Sequence, residues 1–205
     1  MQRVHVRTVG TEAPVQVTSD LASCWSPSWS PDGQYLFHLS DRHYAPQISD
    51  LEWDYAGNER ARIYALALRK AVPHLFPPLD DEVAVAVATD EEAEDAGSED
   101  ADDAELEVAI DFDGLAQRVM RVPVGPANYA GLSAIDGHLL YVTTGPFVYG
   151  GSGGDTVLHR FSFEEREAKE VASGVGGYGL SADGKKLFVA KGGSFELHDA
   201  AGGGE

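Results

Sequence analysis

The feature that most constrains this chain is a phrase that returns. Residues 27–42 read Pro-Ser-Trp-Ser-Pro-Asp-Gly-Gln-Tyr-Leu-Phe-His-Leu-Ser-Asp-Arg, and weaker copies stand at 131–142 and 179–189. Asp32-Gly33 predicts a tight hairpin, since both residue types tolerate positive φ. After the turn, Tyr35, Phe37 and Leu39 alternate with Leu36, His38 and Ser40. Both faces of that strand carry bulk, which suits a strand packed between two layers. Asp136 precedes Asp183 by 47 residues, close to the roughly 40–50 of a four-stranded propeller blade. Asp32 precedes Asp136 by 104 residues, the length of one blade enlarged by insertions. The expected fold class is therefore all-β: a β-propeller segment of about three to three and a half four-stranded blades. On this count the chain holds two strands of one blade, two whole blades and three strands of another, an arc incomplete at both ends.

Taken in order, alternating strands are expected at 3–8 and 14–18, followed by the organising hairpin. Residues 41–59 read as a long loop carrying Trp53 and Tyr55. Residues 61–68 have helical propensity, yet in a repeat of strands they are read as a strand. A further edge strand is expected at 83–87, and order is expected to resume at 108–112 and 117–124 around Asp113-Gly114. Strands then follow at 129–134, 138–143, 156–163 and 168–172. A last unit begins after the glycines of 174–177, with strands at 178–182, 186–191 and 195–199.

The net charge of −19 has one source. Between Lys70 and Arg118 there are 16 acidic residues and no Lys or Arg, whereas the rest of the chain carries 15 basic and 18 acidic residues. The acidity belongs to a segment and not to the fold. Residues 90–105 contain no aromatic or β-branched side chain, so a disordered acidic insert is expected over 80–107. That gives three parts: blades over 1–79, the insert over 80–107, and blades over 108–205. No basic face is concentrated for phosphates, which argues against nucleic acid. No apolar run reaches the roughly 20 residues needed to span a bilayer, and no signal peptide is visible, so a cytoplasmic location without a membrane partner is expected. A single cysteine, Cys24, leaves no disulfide framework and no cysteine-rich zinc site.

Several motifs invite a chemical reading. Gly150-Gly151-Ser152-Gly153-Gly154 fits the Gly-x-Ser-x-Gly elbow, but that elbow lies between a strand and a helix, and here a strand follows. Gly174-Val175-Gly176-Gly177-Tyr178-Gly179 fits Gly-x-Gly-x-x-Gly without the following helix a dinucleotide requires, and reads as a turn between blades. Asp111-Phe112-Asp113-Gly114 is half a calcium loop and reads as a turn. The seven histidines show no close paired spacing. No catalytic residue, cofactor or metal ligand is assigned. Trp25, Trp29 and Trp53 are read as blade packing, and Arg42 as a structural ion-pair partner of Asp41 or Asp50. If a channel is present, Arg42, Arg60 and Arg62 are the candidate contacts for peptide carboxylates, because guanidinium pairs bidentately with them.

The phrase at 27–36 resembles the repeat of TolB-like and tricorn-like, WD-like propellers. Ser40-Asp41-Arg42 with Pro46 and Asp50 follows it, and Arg62-Ile63-Tyr64 leads to Leu68-Arg69-Lys70, Pro73, Phe76 and Pro77. Ile110-Asp111-Phe112-Asp113-Gly114-Leu115 leads in turn to Arg118-Val119, Pro123-Val124, Asn128-Tyr129 and Gly131-Leu132. As a set over roughly 25–190 these resemble the second, larger propeller of tricorn-like serine peptidases, which carry a charged insert just before the Ile-Asp-x-Asp-Gly phrase. The resemblance implies a large cytosolic, homo-oligomeric peptidase trimming oligopeptides, with further blades, a PDZ-like module and a catalytic region elsewhere in the polypeptide. It implies a non-catalytic channel or scaffold for this segment. The alternative is a TolB-like propeller that serves as a protein-interaction module with no enzyme attached.

Overall fold

A computed structural model describes residues 1–10, 13–43, 47–48, 55–56, 59–78, 108–146 and 154–202. Its strands are β1 (His5–Val6), β2 (Val15–Gln16), β3 (Cys24–Trp29), β4 (Tyr35–Ser40), β5 (Gln47–Ile48), β6 (Tyr55–Ala56), β7 (Arg62–Ala67) and β8 (Val119–Arg121). After them come β9 (Asn128–Ile135), β10 (His138–Thr144), β11 (Val157–Ser162), β12 (Ala168–Ser173), β13 (Val175–Leu180), β14 (Lys186–Lys191) and β15 (Ser194–Asp199). Apart from one 3-10 turn at Leu115–Gln117, strands are the only regular elements among the described residues. They form antiparallel sheets in the orders β1-β2, β3-β4-β7-β8, β9 to β12 in sequence, and β13-β14-β15. Two strands, two full four-stranded sheets and three strands are what the repeat predicts.

Period-two alternation explains why these sheets stack. Tyr35, Phe37 and Leu39 of β4 share one core with Ile63, Ala65 and Ala67 of β7 and with Leu132, Leu139, Tyr141 and Phe161 of the next sheet. The opposite face contributes Leu36, Leu66 and Val119 to a core with Val4 and Val17. On β10, Leu139 and Tyr141 face backward, while Leu140 and Val142 face forward onto Val175, Leu187 and Val189. Each inner sheet is thus buried on both faces. Fully buried side chains such as Phe161, Leu139 and Leu158 stabilise by roughly 1.5–3 kcal/mol each.

The first strands of successive sheets touch. The Ala134 N–H donates to Ser28 Oγ at 2.8 Å, joining β9 to β3. Ser133 Oγ lies 3.0 Å from the Tyr178 hydroxyl, joining β9 to β13. At Gly131 (φ +83) a Cβ would sit 3.3 Å from the Tyr178 ring, so the absence of a side chain lets the two strands approach. The last sheet is graded in size along its outer face. Gly179, Phe188 and Leu197 are aligned in one row, and Gly177, Ala190 and Phe195 in another. Small residues on the first strand and large ones further out make a wedge, the shape radial stacking needs. Phe188 stacks on Phe195 at 5.1 Å, yet Phe195 and Leu197 remain 69% and 70% exposed.

The hairpin phrase works differently from the sequence expectation. Only the glycines adopt positive φ, 65° at Gly33 and 69° at Gly184. Asp32 acts through its carboxylate, which accepts from Ser30 Oγ (2.5 Å) and the Gln34 N–H (2.9 Å), while Ser30 Oγ accepts from the Tyr35 N–H. Ser181, Asp183, Lys185 and Lys186 repeat that pattern. The middle copy has Ala134 where the serine would stand, and its strands continue to a two-residue Asp136-Gly137 turn. Other expectations also change. Residues 41–59 include the short β5–β6 ladder. No strand forms over 108–112, and the following strand shrinks to β8. The glycines of 174–177 are not a separating turn: all but Gly174 lie in β13, with a bulge between Val175 and Gly177. The expected edge strand at 83–87 and the insert itself fall outside the described residues.

The Ile-Asp-x-Asp-Gly phrase closes the second sheet. Arg118 donates to the carbonyls of Ala67 (3.1 Å), Leu68 (3.2 Å), Asp113 (2.9 Å) and Asp111. Asp111 accepts from the Lys70 N–H at 2.8 Å, and Lys70 Nζ meets Asp113 at 2.9 Å. Lys70 and Arg118 are the basic residues that bound the acidic segment. They clasp its two ends, so that β8 returns to β7 despite the long excursion.

Candidate functional site

The hairpin turns gather at one end of the sheets. Trp29, Ser30 and Pro31, Ala134 to Asp136, and Leu180 to Lys185 line a cavity of about 710 Å³ there. These residues sit at the ends of the touching first strands, so the cavity lies where those strands converge. Trp29 is 42% exposed at its wall and is not buried between blades as its sequence context suggested, whereas Trp25 packs against the core shared by the two full sheets. Trp53 lies outside the described residues. Asp183 on the rim is held below the usual carboxylate range by its hydrogen bonds from Ser181 and the Lys185 backbone.

The three candidate arginines lie at the opposite end, and the structure separates them. Arg42 follows β4, and Arg62 opens β7 directly opposite Ser40. The Arg42 guanidinium stands 5.2 Å from the centre of the Tyr64 ring, and Arg62 donates weakly to the Val124 carbonyl at 3.4 Å. Arg60 is elsewhere, in a smaller cavity of about 180 Å³ with Trp25, Asp41, Asn128 and Thr144. None of the three is on a first strand. The ion pair expected between Arg42 and Asp41 does not form, because Asp41 accepts the Ser23 N–H at 2.9 Å instead. Asp50 lies outside the described residues.

Sequence reasoning missed what surrounds Arg42 and Arg62. His38, Tyr64 and Arg121 are paired in one row across β4, β7 and β8. His38 is 1% exposed, and neither ring nitrogen has a hydrogen-bond partner. Burial, reinforced by the nearby Arg42 charge, lowers its pKa to about 4, and the Leu36 backbone opposes this weakly. Its ring stacks on Tyr64, as does that of His43, whose Nδ1 lies 2.5 Å from the Tyr64 hydroxyl. The Arg62-Ile63-Tyr64 spacing was the available signal, since residues two apart on a strand share a face.

No hydrolytic constellation appears among the described residues. Thr143 Oγ1 meets His159 Nε2 at 2.9 Å, but no carboxylate hydrogen-bonds the other ring nitrogen, and burial lowers the His159 pKa. It is a cross-strand polar pair between β10 and β11. Burial pushes the neighbouring Tyr141 hydroxyl up to about 12, far from a proton-transfer role at neutral pH. Ser152 lies outside the described residues. Among the described residues, no group of three His, Cys, Asp or Glu is placed to hold a metal ion, and no helix is long and apolar enough to cross a membrane.

Comparison with known proteins agrees with this architecture. Residues 1–201 match the family model described as the tricorn protease second beta propeller domain. Tricorn protease homolog 1 of Streptomyces coelicolor is 26% identical over 175 residues, covering 80% of this chain and 16% of the relative. The tricorn protease homolog of Saccharolobus solfataricus is 24% identical over 188 residues, covering 90% of this chain and again 16% of the relative. The chain thus spans under a fifth of the length of the relatives it matches. The crystal structure of the tricorn protease superposes over 98% of this chain and 18% of its own, with a TM-score of 0.70 at 18% identity, a likeness of fold. With its four-stranded sheets joined through their first strands, the chain belongs to the family of the tricorn protease second beta propeller domain.

Proposed function

We propose that this chain is a non-catalytic propeller segment of a tricorn-like serine peptidase, acting as a channel and scaffold for oligopeptides hydrolysed by a catalytic region outside the chain. The observation that carries the reading is the convergence of β3, β9 and β13 beside the cavity at the turn end. Strands gathered about an axis leave a passage, and the Asp-Gly turns form its mouth. On this reading the blades over 1–79 and 108–205 flank the acidic insert over 80–107. Their partners are further blades, PDZ-like and peptidase regions of one cytoplasmic, homo-oligomeric polypeptide. Arg42, Arg60 and Arg62 would then meet peptide carboxylates away from the mouth.

Blocking the mouth tests this. In the longer polypeptide, Asp183→Cys provides an attachment point for a bulky maleimide on an exposed turn. Modification is expected to slow hydrolysis of peptides of ten or so residues much more than that of a dipeptide-sized fluorogenic substrate, relative to unmodified Asp183→Cys. Equal rates before and after modification for both substrates would refute a passage through this propeller.

A further inference from the structure

We propose that Arg42, Arg62 and Arg121, grouped around Tyr64, form a carboxylate-binding site on the face of the second sheet turned toward β1–β2. The grouping follows from register. Arg121 pairs with Tyr64 across β7–β8, Arg62 precedes Tyr64 on the same face of β7, and Arg42 projects over the Tyr64 ring from the end of β4. In a chain with a net charge of −19, no acidic side chain among the described residues pairs with any of the three. The Nε–H groups of Arg42 and Arg62 are buried without an acceptor. Orphaned donors of this kind are costly, and a bidentate acceptor relieves the cost. Arg42 and Arg62 are half-buried as whole residues, and Arg121 and His43 are exposed at the rim.

The chemistry favours a carboxylate over a cation or a neutral group. Arginine presents planar paired donors that match two coplanar oxygens. The charges of Arg42, Arg62 and Arg121 act together on the Tyr64 hydroxyl, opposing the rise that burial imposes on it. That hydroxyl lies 2.5 Å from His43 Nδ1, so the tyrosine is held in a side-chain hydrogen bond at the centre of the cluster. Neighbouring His38, its pKa lowered by burial, stays uncharged at neutral pH and adds nothing to the positive charge of the arginines. The carboxylate has two sources, the free end of a peptide or an Asp or Glu side chain, and the site itself does not depend on the passage reading.

The test is an NMR titration of the 205-residue chain, following the arginine Nε–H resonances. The probes are tri-alanine free acid, tri-alanine amide and acetyl-Ala-Glu-Ala-amide. Saturable shifts of the Arg42 and Arg62 signals are expected with the free acid, the glutamyl peptide or both, at least about tenfold tighter than with tri-alanine amide. Which of the two charged probes binds identifies the source. Arg62→Lys keeps the charge and loses the Nε–H, and is expected to weaken the charged probe severalfold at an unchanged melting temperature. Should that variant fail to fold, Arg121→Gln at the exposed edge is expected to fold and to weaken the charged probe severalfold. Absent shifts, equal shifts with the amide, or undiminished binding in the variant that folds would overturn the assignment.

Discussion

Replacing Arg118 by methionine keeps the aliphatic stem and deletes four charge-assisted hydrogen bonds at once. Two of them, to the Ala67 and Leu68 carbonyls, are partly buried, and two, to Asp111 and Asp113, are exposed. Hydrogen bonds to charged groups contribute roughly 1.5–3 kcal/mol where solvent is limited. Counting only the partly buried pair at the low end gives a loss of about 3 kcal/mol. For a chain of this size that corresponds to a fall in Tm of roughly 6–12 °C, at about 2–4 °C per kcal/mol. Urea unfolding monitored by the tryptophans near β3 reads the change directly. Lys70→Ala is the control: its pair with Asp113 is exposed, and such pairs are worth under about 1 kcal/mol. If Arg118→Met cost less than about 0.5 kcal/mol, the clasp would be incidental and the return of β8 would need another cause.

Acid should destabilise the protein through His38. Its folded pKa lies below its unfolded value, so the unfolded state binds the extra proton and stability falls as pH drops from about 6.5 to about 4, by about 2 kcal/mol at pH 5 and about 3 kcal/mol below pH 4. His38→Leu should flatten the urea midpoint over that window, and an unchanged slope would refute it. Deleting residues 90–105, which carry no side chain suited to burial, is expected to leave thermal stability within about 0.5 kcal/mol. A loss of several kcal/mol would mean that the segment docks. The outer face of the last sheet should drive self-association in sedimentation velocity, and Phe195→Ser with Leu197→Ser should abolish it. A wild-type chain that stays monomeric throughout the micromolar range contradicts that.

The sequence disclosed the architecture because strand alternation and turn chemistry are local. Leu36 and Phe37, or Leu139 and Leu140, announce a two-faced strand from their neighbours alone, and the Asp-Gly copies set the blade length. Strand 61–68 was legible only through the repeat, since Ala and Leu favour a helix locally. Where reading failed, the cause was non-local. Gly176 and Gly177 resemble a turn, but they lie in a strand whose small residues form the thin edge of a wedge. Adjacency pairs Asp41 with Arg42, yet in the fold the residue before β3 supplies Asp41 with the Ser23 N–H. The cluster around Tyr64 stayed hidden because Arg42 and Arg121 are 79 residues apart and meet only through register across three strands.

The account rests on successive sheets stacking through their first strands, and a cross-link between two of those strands tests this most directly. Ser28 Oγ and the Ala134 nitrogen are 2.8 Å apart on β3 and β9, strands of different sheets more than 100 residues apart in sequence. Ser28→Cys with Ala134→Cys should oxidise to an intramolecular disulfide in the folded protein, since a side-chain-to-backbone contact this short brings the two residues near the Cα separation of about 4.4–6.8 Å that a disulfide requires. The account predicts near-complete cross-linking under native conditions, with buried Cys24 as the one thiol left. A natively folded double variant that retains three free thiols under oxidation would contradict it.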